Sequence, residues 1–221
     1  MKNSENEIAV NMFKCHFLNF NVDFPSVTEI LITPTTQVAM GAVDIHFNGF
    51  STSRLNVVIN GTTFENLQVP LFAPCHVMFN GSSNNSVLFL HTNFTNCVGK
   101  TGGAMLIDFK QEATNNKVTV SSSSFTDVSA FVEGAAISGN YLDSNKNTII
   151  LESCRFFAVF TAEVMLEEAV LFFYSNRRPP HGNRASSSYD VLLQNCQFGK
   201  DETNGGLVIA KSVRILYESS K

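Results

Sequence analysis

The chain has 221 residues, enough for one large domain with a buried core, and only 15% of them are charged against a usual share of about a quarter. A net charge of −4 offers no basic face, so neither nucleic acid nor an anionic membrane is an expected partner. The N-terminal MKNSENEIAVNMF has no apolar core of a secretory signal, and the most apolar long stretch, Phe156 to Tyr174, is broken by Glu163, Glu167 and Glu168, which argues against a spanning helix.

In chain order, short β-like runs closed by phenylalanine alternate with runs opened by small residues. A diverged FKCHF ends at Phe17. GAVDIHF (41–47) and VVINGTTF (57–64) follow, then APCHVMF (73–79) and VLFLHTNF (87–94). GGAMLIDF (102–109), VTVSSSSF (118–125), GAAISGNY (134–141) and IILESCRF (149–156) continue the pattern, and EAVLFFY (168–174) and VLLQNCQF (191–198) complete it. Phe64, Phe94, Phe125 and Phe156 are spaced 30, 31 and 31 residues apart; the outer intervals to Phe17 and Phe198, 47 and 42, imply insertions. The second kind of run ends on Phe47, Phe79, Phe109, Tyr141 and Tyr174 once gaps are allowed.

A repeat of this length predicts a solenoid, because one unit cannot bury both faces of such short strands and stacked units can. Seven and five residues before the phenylalanine stand Val57/Ile59, Val87/Phe89, Val118/Val120, Ile149/Leu151 and Val191/Leu193, a spacing of two that directs them to one face. Cys15, Thr62, Thr92, Ser123, Cys154 and Cys196 occupy the position two before it. The change of parity between these groups predicts a corner inside the run. Asn66, Asn96 and Asp127, two after the phenylalanine, suit a left-handed turn residue. The expected fold is therefore all-β: a right-handed parallel β-helix of the pectin-lyase-like superfold, about six coils along 1–221, clearest over 55–210, with a loop insertion at 175–190. A β-sandwich is the alternative, and a 31-residue register argues against it.

At these residues the chain resembles the repeats of polymorphic outer-membrane proteins, which pair a GGA[ILV] segment with FxxN. GGAM (102–105) is close to the first; EGAA (133–136) and NGGL (204–207) are looser. FEN (64–66), FTN (94–96) and FTD (125–127) place Asn or Asp one position early. The resemblance implies a passenger-type β-helix at the cell surface or outside the cell, membrane-associated through its parent, with an adhesive or recognition role and no catalytic residues.

No catalytic, cofactor or metal residues emerge from the sequence. Asp44 and Asp108 follow their small residues at different distances, and His16, His46, His76 and His91 share no column, which disfavours a metal site. Cys154 and Cys196 hold one phase on neighbouring coils, so they are candidates for a disulfide, with stacked free thiols as the alternative. The N-glycosylation sequons at Asn60, Asn80, Asn84 and Asn93 are no more than chance supplies among 23 asparagines. The loops 48–56, 80–86, 110–117, 142–148 and 175–190 are expected to project from one flank, where repeat proteins bind partners. In the last of them Arg177, Arg178, His181 and Arg184 form a candidate recognition loop. The partner is then a glycan or surface protein. The last residues, RILYESSK, align with TIILESCR (148–155), so the rest of a longer parent chain is expected to follow, and the isolated chain is expected to associate through its open coils. The expected function is a non-enzymatic structural or adhesive segment. A polysaccharide-active lyase or hydrolase is the alternative.

Overall fold

The computed structural model describes residues 8–18, 28–31, 42–49, 54–69, 72–161, 169–176, 190–199, 206–211 and 213–218. Every paired strand among them is parallel, and the strands fall into four stacked sheets. Sheet A contains Ile8–Phe13, Leu55–Asn60, Ser86–Leu90, Lys117–Ser121, Thr148–Glu152, Val191–Gln194 and Ile215–Glu218. Sheet B stacks His16–Leu18, Thr63–Glu65, Asn93–Thr95, Ser124–Thr126, Arg155–Phe157 and Gln197–Phe198. Sheet C holds Gln68–Val69, Val98–Thr101, Ser129–Glu133 and Phe160–Thr161. Sheet D comprises Thr28–Leu31, Val43–Asn48, Cys75–Asn80, Met105–Lys110, Ile137–Tyr141, Ala169–Ser175 and Gly206–Lys211.

The chain is thus an all-β parallel solenoid. Four successive coils, at 55–80, 86–110, 117–141 and 148–175, each contribute one strand to all four sheets, and partial coils flank them.

The phenylalanine-closed run is two strands with a corner. Val57 and Ile59 point inward from sheet A and Phe64 from sheet B, all essentially buried, as are their counterparts in the next coils. Between them the backbone turns through a left-handed residue: Gly61, His91, Ser122, Ser153 and Asn195 have φ of 63°, 50°, 50°, 53° and 51°. The next residue is the small column, whose side chain folds back on the corner. Ser123 Oγ donates to the Ser121 carbonyl at 2.9 Å and Thr92 Oγ1 to that of Leu90 at 3.4 Å. A second corner follows at Asn66, Asn96 and Asp127, with φ of 55°, 50° and 52°. Short polar side chains tolerate that conformation because they hydrogen-bond locally.

The phenylalanines form one ladder. Ring centroids are 4.6 Å apart for Phe64–Phe94, 5.1 Å for Phe94–Phe125, 4.8 Å for Phe125–Phe156 and 5.0 Å for Phe156–Phe198. The register also sets Phe17 opposite Phe64. In sheet D a parallel ladder runs Phe47–Phe79–Phe109–Tyr141 at 4.6, 5.1 and 5.0 Å. It does not continue to Tyr174. Ser175 stands in register with Tyr141, and Tyr174 is exposed. Buried Ser175 thus takes the ladder position, and Phe173 points inward one pair earlier, against Gly139: a Cβ on Gly139 would lie 2.7 Å from the ring.

GGAM forms the tight passage from sheet C into sheet D and stacks on GAAI (134–137), Met105 pairing with Ile137. Gly102 and Gly134 both take positive φ, 74° and 64°. A Cβ on Gly103 would lie 2.1 Å from the Ala135 carbonyl oxygen and 2.3 Å from that of Ser129. Gly103→Ala is therefore expected to cost roughly 1–3 kcal/mol, since both obstacles are backbone. A chemical-denaturation midpoint equal to that of the parent would show that the coil accommodates the methyl group.

Among the described residues, three of the loops from sheet D back to sheet A stack on one another instead of projecting singly. Loops 80–86, 110–117 and 142–148 stack through bridges pairing Ser83 with Thr114 and Thr114 with Asn145. Inside them runs a buried asparagine ladder. Asn116 Oδ1 accepts from the backbone N–H and Nδ2 of Asn85 at 3.0 and 3.1 Å, and Asn147 Oδ1 accepts likewise from Asn116 at 2.9 and 3.1 Å. A second amide proton of Asn116 goes to the Ser82 carbonyl and one of Asn147 to that of Ala113, both at 2.8 Å. Such bonds offset the cost of burying the amides.

Candidate functional site

Sheet D holds the one cluster of titratable side chains that the described part of the fold buries together. Its inward positions are apolar: Val43, Ile45 and Phe47, then Cys75, Val77 and Phe79, then Met105, Ile107 and Phe109. Strand alternation directs the residues between them to the outer face. Register makes one outer row of Asp44, His76 and Leu106 and a second of His46, Met78 and Asp108. His76 therefore has Asp44 beside it and Asp108 on the diagonal, within reach of a long side chain.

The side chains close into a chain of charge contacts. Asp44 Oδ1 lies 2.7 Å from His46 Nε2 and 2.9 Å from His76 Nδ1. The other nitrogen of His76, Nε2, is 3.2 Å from Asp108 Oδ2. Lys110 Nζ approaches the same oxygen at 2.7 Å, and Asn140 Nδ2 donates to Asp108 Oδ1 at 2.9 Å. The His46 and His76 rings meet edge to face with centroids 5.3 Å apart, and Phe72 lies 5.6 Å from His76. Asp44, His76 and Asp108 are only 1–2% exposed.

Charge pairing outweighs burial at Asp44, His76 and Asp108. Burial works to raise Asp44, yet the imidazoles of His46 and His76 hold it well below the ordinary carboxylate range. Asp108 is lowered to about 2, His76 and Lys110 overcoming its burial. Burial would lower His76, but Asp108 and Asp44 push it up to about 9. Nearby Glu133 is raised, first by burial; Lys211 opposes the shift and Asp108 adds to it.

These shifts set a pH dependence. A histidine raised from 6.5 to about 9 contributes stability that is complete below pH 6.5 and lost as pH climbs to 9. The loss is on the order of 3 kcal/mol for a fully buried group. Depressed carboxylates act oppositely, stabilising above their ordinary value of 3.8 and failing as acid protonates them. In chelator-treated protein the denaturant midpoint is thus expected to fall between pH 6.5 and 9, and His76→Gln to flatten that limb. A parent profile already flat there would rule out a charged His76.

The sequence reading missed this cluster. Its histidines do share no column; the contacts join unlike residues, Asp44 to His76 in register and His76 to Asp108 on a diagonal, which a search for like residues in a column does not test. Cys154 and Cys196 stand on neighbouring coils as free thiols, and their sulfurs donate to the carbonyls of Val120 at 3.3 Å and Leu151 at 3.4 Å. The Cys154 thiol is pushed up by its contact with Cys196 and by burial, which keeps it unreactive. Of the sequon asparagines, Asn84 and Asn93 are exposed and Asn60 and Asn80 half-buried. His91 occupies an exposed corner. Arg177, Arg178, His181 and Arg184 lie outside the described residues.

Fold and cluster together define a parallel β-solenoid carrying a buried His–Asp network. In comparisons with known proteins, no family model matches the sequence, and no match was found among curated proteins or solved structures.

Proposed function

We propose that the chain is a non-enzymatic β-solenoid segment acting as a scaffold or adhesive recognition module. The observation that carries this reading is the burial of the acid–base cluster. A general acid or base must come within hydrogen-bond reach of its substrate, and Asp44, His76 and Asp108 face one another instead, 1–2% exposed. A right-handed coil sense, the likeness to polymorphic outer-membrane passengers and a place outside the cell or on its surface belong to the same proposal. The backbone role shared by GGAM and GAAI is in keeping with a purely structural repeat motif.

The surface offered for recognition is the outer face of sheet A. Three rows cross it: Asn56, Ser86, Lys117, Thr148; then Val58, Leu88, Thr119, Ile150; then Asn60, Leu90, Ser121, Glu152. All are at least partly exposed. A central row that is largely apolar between two polar ones, repeating at about 4.8 Å, suits a glycan chain or an extended protein surface. A glycan array tests binding, and release of unsaturated or reducing sugar from the same polysaccharides tests turnover. Binding without release, weakened by Leu88→Asp, is the expected result; catalytic release, or no ligand of either kind, counts against it. The second reading, a polysaccharide lyase or hydrolase, is favoured by one feature: the Asp44–His76–Asp108–Lys110 line lies on the outer face of a single sheet.

A further inference from the structure

We propose that Asp44, His46 and His76 bind one divalent transition-metal ion, with Zn²⁺ the best match, and that the ion clamps two neighbouring coils across sheet D. Asp44, His46 and His76 each offer one donor atom, and the three lie within 4.8 Å of one another at buried positions. Tetrahedral metal–ligand bonds of about 2.0–2.2 Å place adjacent donors about 3.4 Å apart. The two nitrogens stand 2.7 and 2.9 Å from the Asp44 oxygen, so an ion enters once the donors spread by roughly half an ångström. Two imidazoles and one carboxylate form a borderline donor set that suits Zn²⁺, Co²⁺ or Ni²⁺ better than Ca²⁺ or Mg²⁺, which prefer oxygen alone.

Two further observations point to a ligand. His76 is 98% buried, and its Nδ1, though 2.9 Å from Asp44 Oδ1, makes no contact of hydrogen-bond angle, so its lone pair or proton is aimed into the cluster without a well-directed partner. Its other nitrogen is already held by Asp108, which Asn140 and Lys110 hold in turn. A carboxylate behind a ligating imidazole fixes the ring's orientation and raises its basicity, the support that metal-binding histidines regularly have.

The donors also sit on rigid elements. Asp44 and His46 share one face of one strand, and His76 comes from the neighbouring strand of the next coil, in register with Asp44. The set is therefore assembled only by coil stacking, and metal binding couples to the fold. With three protein ligands, a fourth position is left for a water molecule or another oxygen donor.

The test uses the whole chain, stripped with chelator and titrated with ZnCl₂ by calorimetry, with Co²⁺ as a spectroscopic probe and X-ray absorption on the zinc-loaded protein. One equivalent is expected at micromolar affinity or tighter, with a higher Tm and an absorption edge showing two imidazoles. His46→Gln is expected to weaken binding at least tenfold and His91→Gln, at an exposed corner, to leave it unchanged. If His46→Gln does not fold, the imidazole count in the parent protein decides alone. No binding, binding unchanged in His46→Gln, or a zinc shell without two imidazoles overturns the proposal in favour of a metal-free His–Asp–His network.

Discussion

Phe125→Ala is expected to lower stability by about 3–5 kcal/mol, the range for truncating a large aromatic in a packed core. Its ring is fully buried and lies between Phe94, at 5.1 Å, and Phe156, at 4.8 Å. Removing it leaves a gap walled by two rings whose backbones are pinned in parallel register on both sides. The strands cannot close that gap without breaking hydrogen bonds, so little relaxation offsets the loss. Equilibrium denaturation reads the effect directly. Phe198→Ala, at the half-buried end of the ladder, should cost less. A loss below about 1 kcal/mol for Phe125→Ala would remove that ring from the core.

Asp108→Ala is expected to cost a similar amount, about 3–5 kcal/mol near pH 6, for an electrostatic reason. Its carboxylate faces His76 and Lys110 and accepts from Asn140. Lys110 is about one third exposed and can turn to water, but His76 cannot. The buried imidazole must then lose its proton or remain a poorly compensated charge. The substitution should therefore also shrink the stability difference between pH 6.5 and 9 that His76 confers. Replacing His76 and Asp108 together by leucine should recover part of the loss, because a buried pair is costly to break but less costly to replace whole. Full stability in Asp108→Ala would mean that water already reaches the network.

Much of the fold was legible because a parallel solenoid places like on like. The inward pairs from Val57/Ile59 to Val191/Leu193, the phenylalanine ladder and the left-handed Asn66, Asn96 and Asp127 all follow from one period. The asparagine ladder is equally periodic, at 31-residue intervals, but polar turn residues have the same composition whether they line a loop or form a buried column. Tyr174 falls out of the ladder because the small residues that open the runs do not fix their register across a gap. In the molecule the absent side chain of Gly139 admits Phe173 and sets the register.

What the sequence determined by itself is the stacking: a Phe-closed run every 30–31 residues specifies coils that bury one another. What only the tertiary structure decided is which unlike residues meet. Asp44 and His76 face each other in one row as unlike residues, and His76 meets Asp108, of the next row, on a diagonal 32 residues along the chain. Periodicity records vertical neighbours, whereas a diagonal contact depends on side-chain reach and on the phase between adjacent strands. The free thiols of Cys154 and Cys196 make the same point, since sharing a column set them close but their hydrogen bonds to backbone carbonyls were set by the corner geometry.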